Sequence, residues 1–105
     1  MEPVEINAGA WYLRAPRADE KMDDRPALTA MGETDPEYVS GCTAGWASDT
    51  VYSWAVCEPT TGEMVAEVTL NRRNGMLHSR AREGHADAAA SAEAAARRFA
   101  DAMLT

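Results

Sequence analysis

The stretch Val51-Tyr52-Ser53-Trp54-Ala55-Val56-Cys57-Glu58-Pro59-Thr60-Thr61-Gly62-Glu63-Met64-Val65-Ala66-Glu67-Val68-Thr69-Leu70 holds two alternating runs around one turn. Side chains along a strand point to opposite faces in turn, so the first run, residues 51–57, sets Tyr52, Trp54 and Val56 on one face. Residues 58–62 supply turn chemistry, with Pro59 fixing φ near the start and Gly62 freeing the backbone at the end. The second run, residues 63–70, sets Met64, Ala66, Val68 and Leu70 one way and Val65, Glu67 and Thr69 the other. This is an antiparallel hairpin, and it decides the fold class.

Working outward, Asn74-Gly75 is a strong tight-turn dipeptide, and residues 76–80 return as a third strand. Residues 87–104 then read as a helix. They are rich in alanine, Glu93 lies four residues before Arg97, and Ala88, Ala92, Ala95, Ala96, Phe99 and Met103 form one apolar stripe. Upstream, Asp35-Pro36-Glu37 opens a helix whose stripe is Tyr38, Val39, Cys42 and Trp46, with Gly41 and Gly45 weakening it by about 1 kcal/mol each. A shorter helix is capped by Asp24, admits Pro26 in its first turn, buries Leu28 and Met31 and ends at Gly32. Residues 6–14 read as one opening strand, with Trp11 and Leu13 opposite Tyr12 and Arg14. The predicted order is strand, two helices, a three-stranded meander and a C-terminal helix. That is a single α+β domain over residues 1–105 with a mainly antiparallel sheet.

Charge narrows the function. The net charge is −7, and residues 1–50 hold four basic and ten acidic side chains. Nucleic acid and anionic membranes bind through Lys and Arg, so neither is an expected partner. No run of 18 apolar residues is present and the first residues lack a secretory signal, so the chain is expected to be soluble and cytoplasmic. Cys42 and Cys57 are fifteen apart, in no C-x-x-C pair, and read as reduced core thiols. His78 and His85 lie seven apart with no cysteine cluster, so no metal site is expected, and no serine sits in a G-x-S-x-G elbow. No catalytic residue is assigned.

Between Asn71 and His85, four arginines (Arg72, Arg73, Arg80 and Arg82) face only Glu83. They read either as a solvated hairpin rim or as an anion contact. Arg82-Glu83-Gly84-His85-Ala86 then runs straight into the helix beginning at Asp87. Free N–H groups and partial positive charge at a helix start can hold a pyrophosphate, and Gly84 would let backbone approach closely. Glu83 and Asp87 put negative charge in that place, and a plain loop with an N-cap is the competing reading.

Trp11-Tyr12-Leu13-Arg14 with Arg17-Ala18-Asp19, the run Asp24-Arg25-Pro26-Ala27-Leu28, and Ser53-Trp54-Ala55-Val56-Cys57-Glu58-Pro59-Thr60-Thr61-Gly62-Glu63 together resemble the front half of the GNAT family of N-acetyltransferases, of the actinobacterial type. The resemblance implies acetyl-CoA as cofactor and a pyrophosphate loop at Ala81-Arg82-Glu83-Gly84-His85-Ala86. Gly84 and Ala86 match that loop, with Arg82 and His85 beside them, and Ala81 stands where the family has Arg or Gln. The later strands and helix of the family, which complete the cofactor cleft, are not matched. The expectation is therefore a truncated acetyltransferase-like domain acting as a non-catalytic binding or regulatory module. An open sheet edge, an uncovered apolar face and three tryptophans would drive homodimerisation or docking on a protein partner. The alternatives are an N-acetyltransferase whose acetyl-CoA site a second chain completes, with Gly84, Ala86 and the Asp87 helix start on the pyrophosphate, and a small domain resembling double-stranded RNA-binding or antitoxin proteins.

Overall fold

A computed structural model describes residues 1–104, with side chains through Met103. The elements are β1 (Ile6–Ala8), β2 (Trp11–Arg14), α1 (Arg25–Ala30), α2 (Tyr38–Ser48), β3 (Val51–Cys57), β4 (Met64–Asn71), β5 (Leu77–Ala81) and α3 (Ala86–Leu104). The strands form one antiparallel sheet in the order β1-β2-β3-β4-β5. Each strand lies beside its sequence neighbour, joined by a short turn except between β2 and β3, where α1 and α2 intervene. α3 covers one face of this sheet, and α1 with α2 covers the other. The α+β architecture read from the sequence is the one observed.

β3 and β4 pair from Val51↔Asn71 to Val56↔Ala66, and the register then shifts so that Cys57 opposes Met64. Tyr52, Trp54 and Val56 lie with Ala66, Val68 and Leu70 against α3, as the alternation requires. The bulge corrects one expectation. Val65 is the extra residue and packs on the α3 side, while Met64 moves to the opposite face with Cys57, Ala55, Leu28 and Val39. An inserted residue inverts the facing of everything beyond it, and a period-2 reading cannot see the insertion.

The opening segment also differs from expectation. It is not one strand but a hairpin, β1 against β2 in the register Ile6↔Leu13, turned at Gly9 with φ +66°. Leu13 still faces the α3 side and Arg14 the other. β2 reaches only Ala55–Cys57 of β3, which leaves the first half of β3 unpaired on that side. Trp46 covers the gap. Its indole Nε1 donates to the Ser53 carbonyl at 2.9 Å, its ring stacks on Tyr52 with centroids 4.2 Å apart, and Trp54 meets it edge-on. Trp46 and Trp54 are buried, so the expectation of tryptophans left outside fails for both. Gly45 matters for the same reason: a Cβ there would sit 2.6 Å from the Val51 carbonyl oxygen, so glycine lets α2 lie close to β3.

Two caps are also revised. Asp24 precedes α1 but does not cap it with its side chain, because both carboxylate oxygens are engaged elsewhere. Arg14 donates to them from Nη1 (2.7 Å) and Nη2 (2.8 Å), and the Arg17 N–H adds a bond of 2.6 Å. This bidentate pair is buried, and the hydrogen bond that Arg14 donates to Asp24 holds its guanidinium above its ordinary pKa. Asp35 accepts the Glu37 N–H in a turn, and α2 starts three residues after it. α1 ends as read, with Gly32 at φ +97°. In α3, Ala88, Ala92, Ala95 and Ala96 are buried, while Glu93 takes the Ser79 hydroxyl in place of the expected Arg97. Small side chains let this helix lie close to the sheet. Both cysteines are free and buried. Among the described residues no helix is long and apolar enough to cross a membrane, and no apolar sheet face is left bare.

Candidate functional site

The segment joining β5 to α3 gathers the residues singled out from the sequence. Gly84 has φ +84°, a region that costs a side-chain-bearing residue energy, and nothing lies within 4 Å of where its Cβ would be. Ala86 is the first residue of α3. His85 donates its N–H to the Arg82 carbonyl at 3.0 Å, its carbonyl receives the Ala88 N–H at 3.1 Å, and its ring meets Trp11 edge-on at 6.4 Å. The backbone thus turns tightly into a helix start.

The side chains around this turn oppose an anion. The Arg82 guanidinium is engaged by the Glu63 carboxylate and lies toward the β3–β4 turn. Its backbone N–H is spent on Val65 at 2.9 Å. A cleft of 490 Å³ opens here, lined by Glu58, Thr61, Glu63, Arg82, Glu83 and His85 among others. Three carboxylates thus share its wall with one arginine, which Glu63 already neutralises. Glu58 is held ionised, because the N–H groups of Thr60 and Thr61 lower its pKa. Asp87 adds a fourth carboxylate in the first turn of α3. The loop offers a positive-φ glycine and a helix start, and its surroundings are acidic.

A second cluster was not recognised in the sequence. Glu67, on the α1/α2 face of β4, is only 2% exposed. Its Oε2 accepts the Tyr38 hydroxyl at 2.7 Å and its Oε1 accepts Arg80 Nε at 2.8 Å. Arg80 also donates from Nη2 to Glu33 at 3.1 Å and lies over the Tyr38 ring at 5.2 Å. Burial and the Glu67 bond both push the Tyr38 phenol up. Burial works against the charge of Arg80, but Glu67 and Glu33 more than offset it. The only sequence signal was a glutamate placed inside an apolar alternation. Every strong donor and acceptor here has a partner, so the cluster joins α2, the segment after α1 and β5 into one unit. Beside it, a hollow of 210 Å³ lies between α1 and α2, lined by Leu28, Thr29, Glu33, Tyr38 and Val39 among others. Of the four arginines in the expected anion patch, Arg80 and Arg82 are therefore ion-paired. Arg72 lies over the Tyr52 ring at 5.5 Å, and Arg73 is exposed. Cys57 is fully buried and its thiol is pushed up to about 11, mainly by desolvation, so it is no nucleophile at neutral pH. Among the described residues no group of three metal-ligating side chains comes together.

No family model matches the sequence, and no curated protein matches it. The structure is similar to that of a Vibrio cholerae protein assigned as a ribosomal-protein-serine acetyltransferase. The TM-score is 0.77 at 16% identity, covering 96% of this chain and 68% of that one. An identity this low carries the fold and nothing finer. The chain therefore has a GNAT-like α+β fold, shared over nearly its whole described length with an acetyltransferase structure.

Proposed function

We propose that this chain is an acetyltransferase-fold domain that works as a non-catalytic binding or regulatory module, in the cytoplasm, by contact with protein. One observation carries the reading: the cofactor loop of the fold is surrounded by Glu58, Glu63, Glu83 and Asp87, with Arg82 already taken by Glu63. A pyrophosphate entering there meets like charge that a single helix dipole, worth about 0.3–1 kcal/mol at an exposed end, does not offset. RNA phosphates meet the same field, which also counts against the RNA-binding alternative.

The test is calorimetry of the whole chain with acetyl-CoA. The expected result is no saturable heat and no thermal shift, whereas a ligand at a hundred times its Kd would add about 2.7 kcal/mol of stability. Saturable binding overturns the proposal. It would favour the reading in which Arg82, Gly84, His85 and Ala86 hold acetyl-CoA and a second chain completes an N-acetyltransferase site. The positive φ of Gly84 and the helix start at Ala86 support that second reading.

A further inference from the structure

We infer that the protein partner is a second copy of this chain, joined through β5 in antiparallel register about a two-fold axis near Ser79. The inference rests on the reading above and names the surface it uses.

The backbone defines the open groups. Asn71 N–H bonds the Met76 carbonyl and Arg82 N–H bonds the Val65 carbonyl, each at 2.9 Å. In an antiparallel ladder the hydrogen-bonded residues alternate, so His78 and Arg80 also spend their backbone groups on β4. The N–H and C=O groups of Leu77, Ser79 and Ala81 then point away from the sheet. β5 ends the strand order and contains no proline, so these groups form a regular five-residue edge able to pair with another strand.

Charge selects a second copy as occupant. β4 and α3 run between two ends of the molecule with opposite character. The end holding the 58–63 turn and the start of α3 carries Glu58, Glu63, Glu83 and Asp87 against Arg82. At the other end, Gly75 and Arg72 lie against Ala100 and Met103 near the close of α3. That end carries Arg72 and Arg73 with Asp49, and the second half of α3 adds Arg97, Arg98 and Asp101. Among the described residues, no ion pair links Arg72 or Arg73 to a carboxylate. Antiparallel pairing of β5 with itself sets Leu77 beside Ala81 of the second copy and brings Glu83 of each chain to the 71–76 turn of the other. A parallel arrangement would set like ends together. On the α3 side Ser79 and Ala81 are small, and Ala90 and Ala94, within a turn of Glu93 on α3, are exposed and without bulk. On the other side Arg80 faces His78, its charge already balanced by Glu67 and Glu33. The two Glu93 carboxylates approach near the axis and are the one local repulsion.

Sedimentation velocity across a concentration series, in low and high salt, tests this. The expected result is a dimer that weakens at least tenfold between 50 and 500 mM NaCl on the order of the screening change. Ser79→Pro removes the outward N–H and is expected to give a folded monomer whose melting temperature, unlike that of the wild type, does not rise with protein concentration. Ser79→Ala, which loses only the bond to Glu93, remains a dimer. Glu93→Gln tightens the association. Arg73→Glu and Glu83→Lys each weaken it, and the combined variant recovers it, because only the antiparallel arrangement brings those two positions together. A wild-type chain that stays monomeric, a folded Ser79→Pro chain that stays dimeric, or a charge swap that fails to recover binding overturns the inference. A monomer that instead takes up an added extended peptide along β5 also overturns it. In all these cases silence toward acetyl-CoA leaves the functional proposal standing, whereas acetyl-CoA binding removes that proposal itself.

Discussion

The two sides of the sheet are finished in different ways. On the β1/β2 side, a strand of three residues ends the sheet, Trp46 seals the half of β3 that β2 does not reach, and Trp54 Nε1 donates to the Val4 carbonyl at 2.7 Å. Arg14 and Asp24 pin β2 to the segment before α1, and Arg14 Nη2 also reaches the Gly62 carbonyl at 3.2 Å. On the β5 side, Arg80 and Glu67 hold the strand from within, and its outer backbone groups are left free. A sheet edge is neutral toward association only when something satisfies it. Here Trp46 covers the unpaired half of β3 on one side, and among the described residues none bonds the outer backbone groups of β5 on the other.

The strongest way to break the closed side is Asp24→Ala. It leaves Arg14 charged in a buried site and strands the Arg17 N–H, so a loss of about 3–5 kcal/mol is expected in chemical denaturation. Alkaline pH attacks the same side through Cys57, which lies near Arg14 and Asp24. Burial raises its thiol from 9.0 to about 11, so the folded chain holds that proton more tightly than the unfolded chain. Stability is therefore complete below pH 9 and lost as pH rises toward 11, by roughly 2–3 kcal/mol at the limit. Burial raises the Cys42 thiol as well. A Cys57→Ala chain whose melting temperature falls between pH 9 and 11 as steeply as wild type would contradict the assignment.

Trp46→Phe keeps most of the stacked surface but leaves the Ser53 carbonyl without its donor, and a loss of about 1–3 kcal/mol is expected. The two glycines of α2 respond with opposite signs, and Gly41 gives the smallest effect. Gly45→Ala drives a Cβ into the Val51 carbonyl and costs about 1–3 kcal/mol despite better helix propensity. Gly41→Ala enters open space and gains about 0.5–1 kcal/mol. Equal shifts for the pair in thermal melts would show that α2 does not press on β3 as described.

The loop before α3 was legible in part. Gly84 before an alanine-rich helix signals a turn with positive φ into a helix start, and the structure has both. That Arg82 would turn away to Glu63, nineteen residues earlier, was not legible, because the two meet only once β4 and β5 have paired. The Glu67 cluster stayed hidden for the same reason. Tyr38 and Arg80 are 29 and 13 residues from it and share no local pattern.

Local periodicity and turn chemistry determined the two helices before the meander, the β3–β4 hairpin with its returning strand and the alanine face of α3, since each depends on residues a few positions apart. Tertiary structure decided the rest: the split of the opening strand, the bulge that turns Met64 over, the Arg14–Asp24 pair that displaces a helix cap, and the unequal closing of the two edges. These depend on which buried polar groups find partners across the sheet, and no single segment of chain contains that choice.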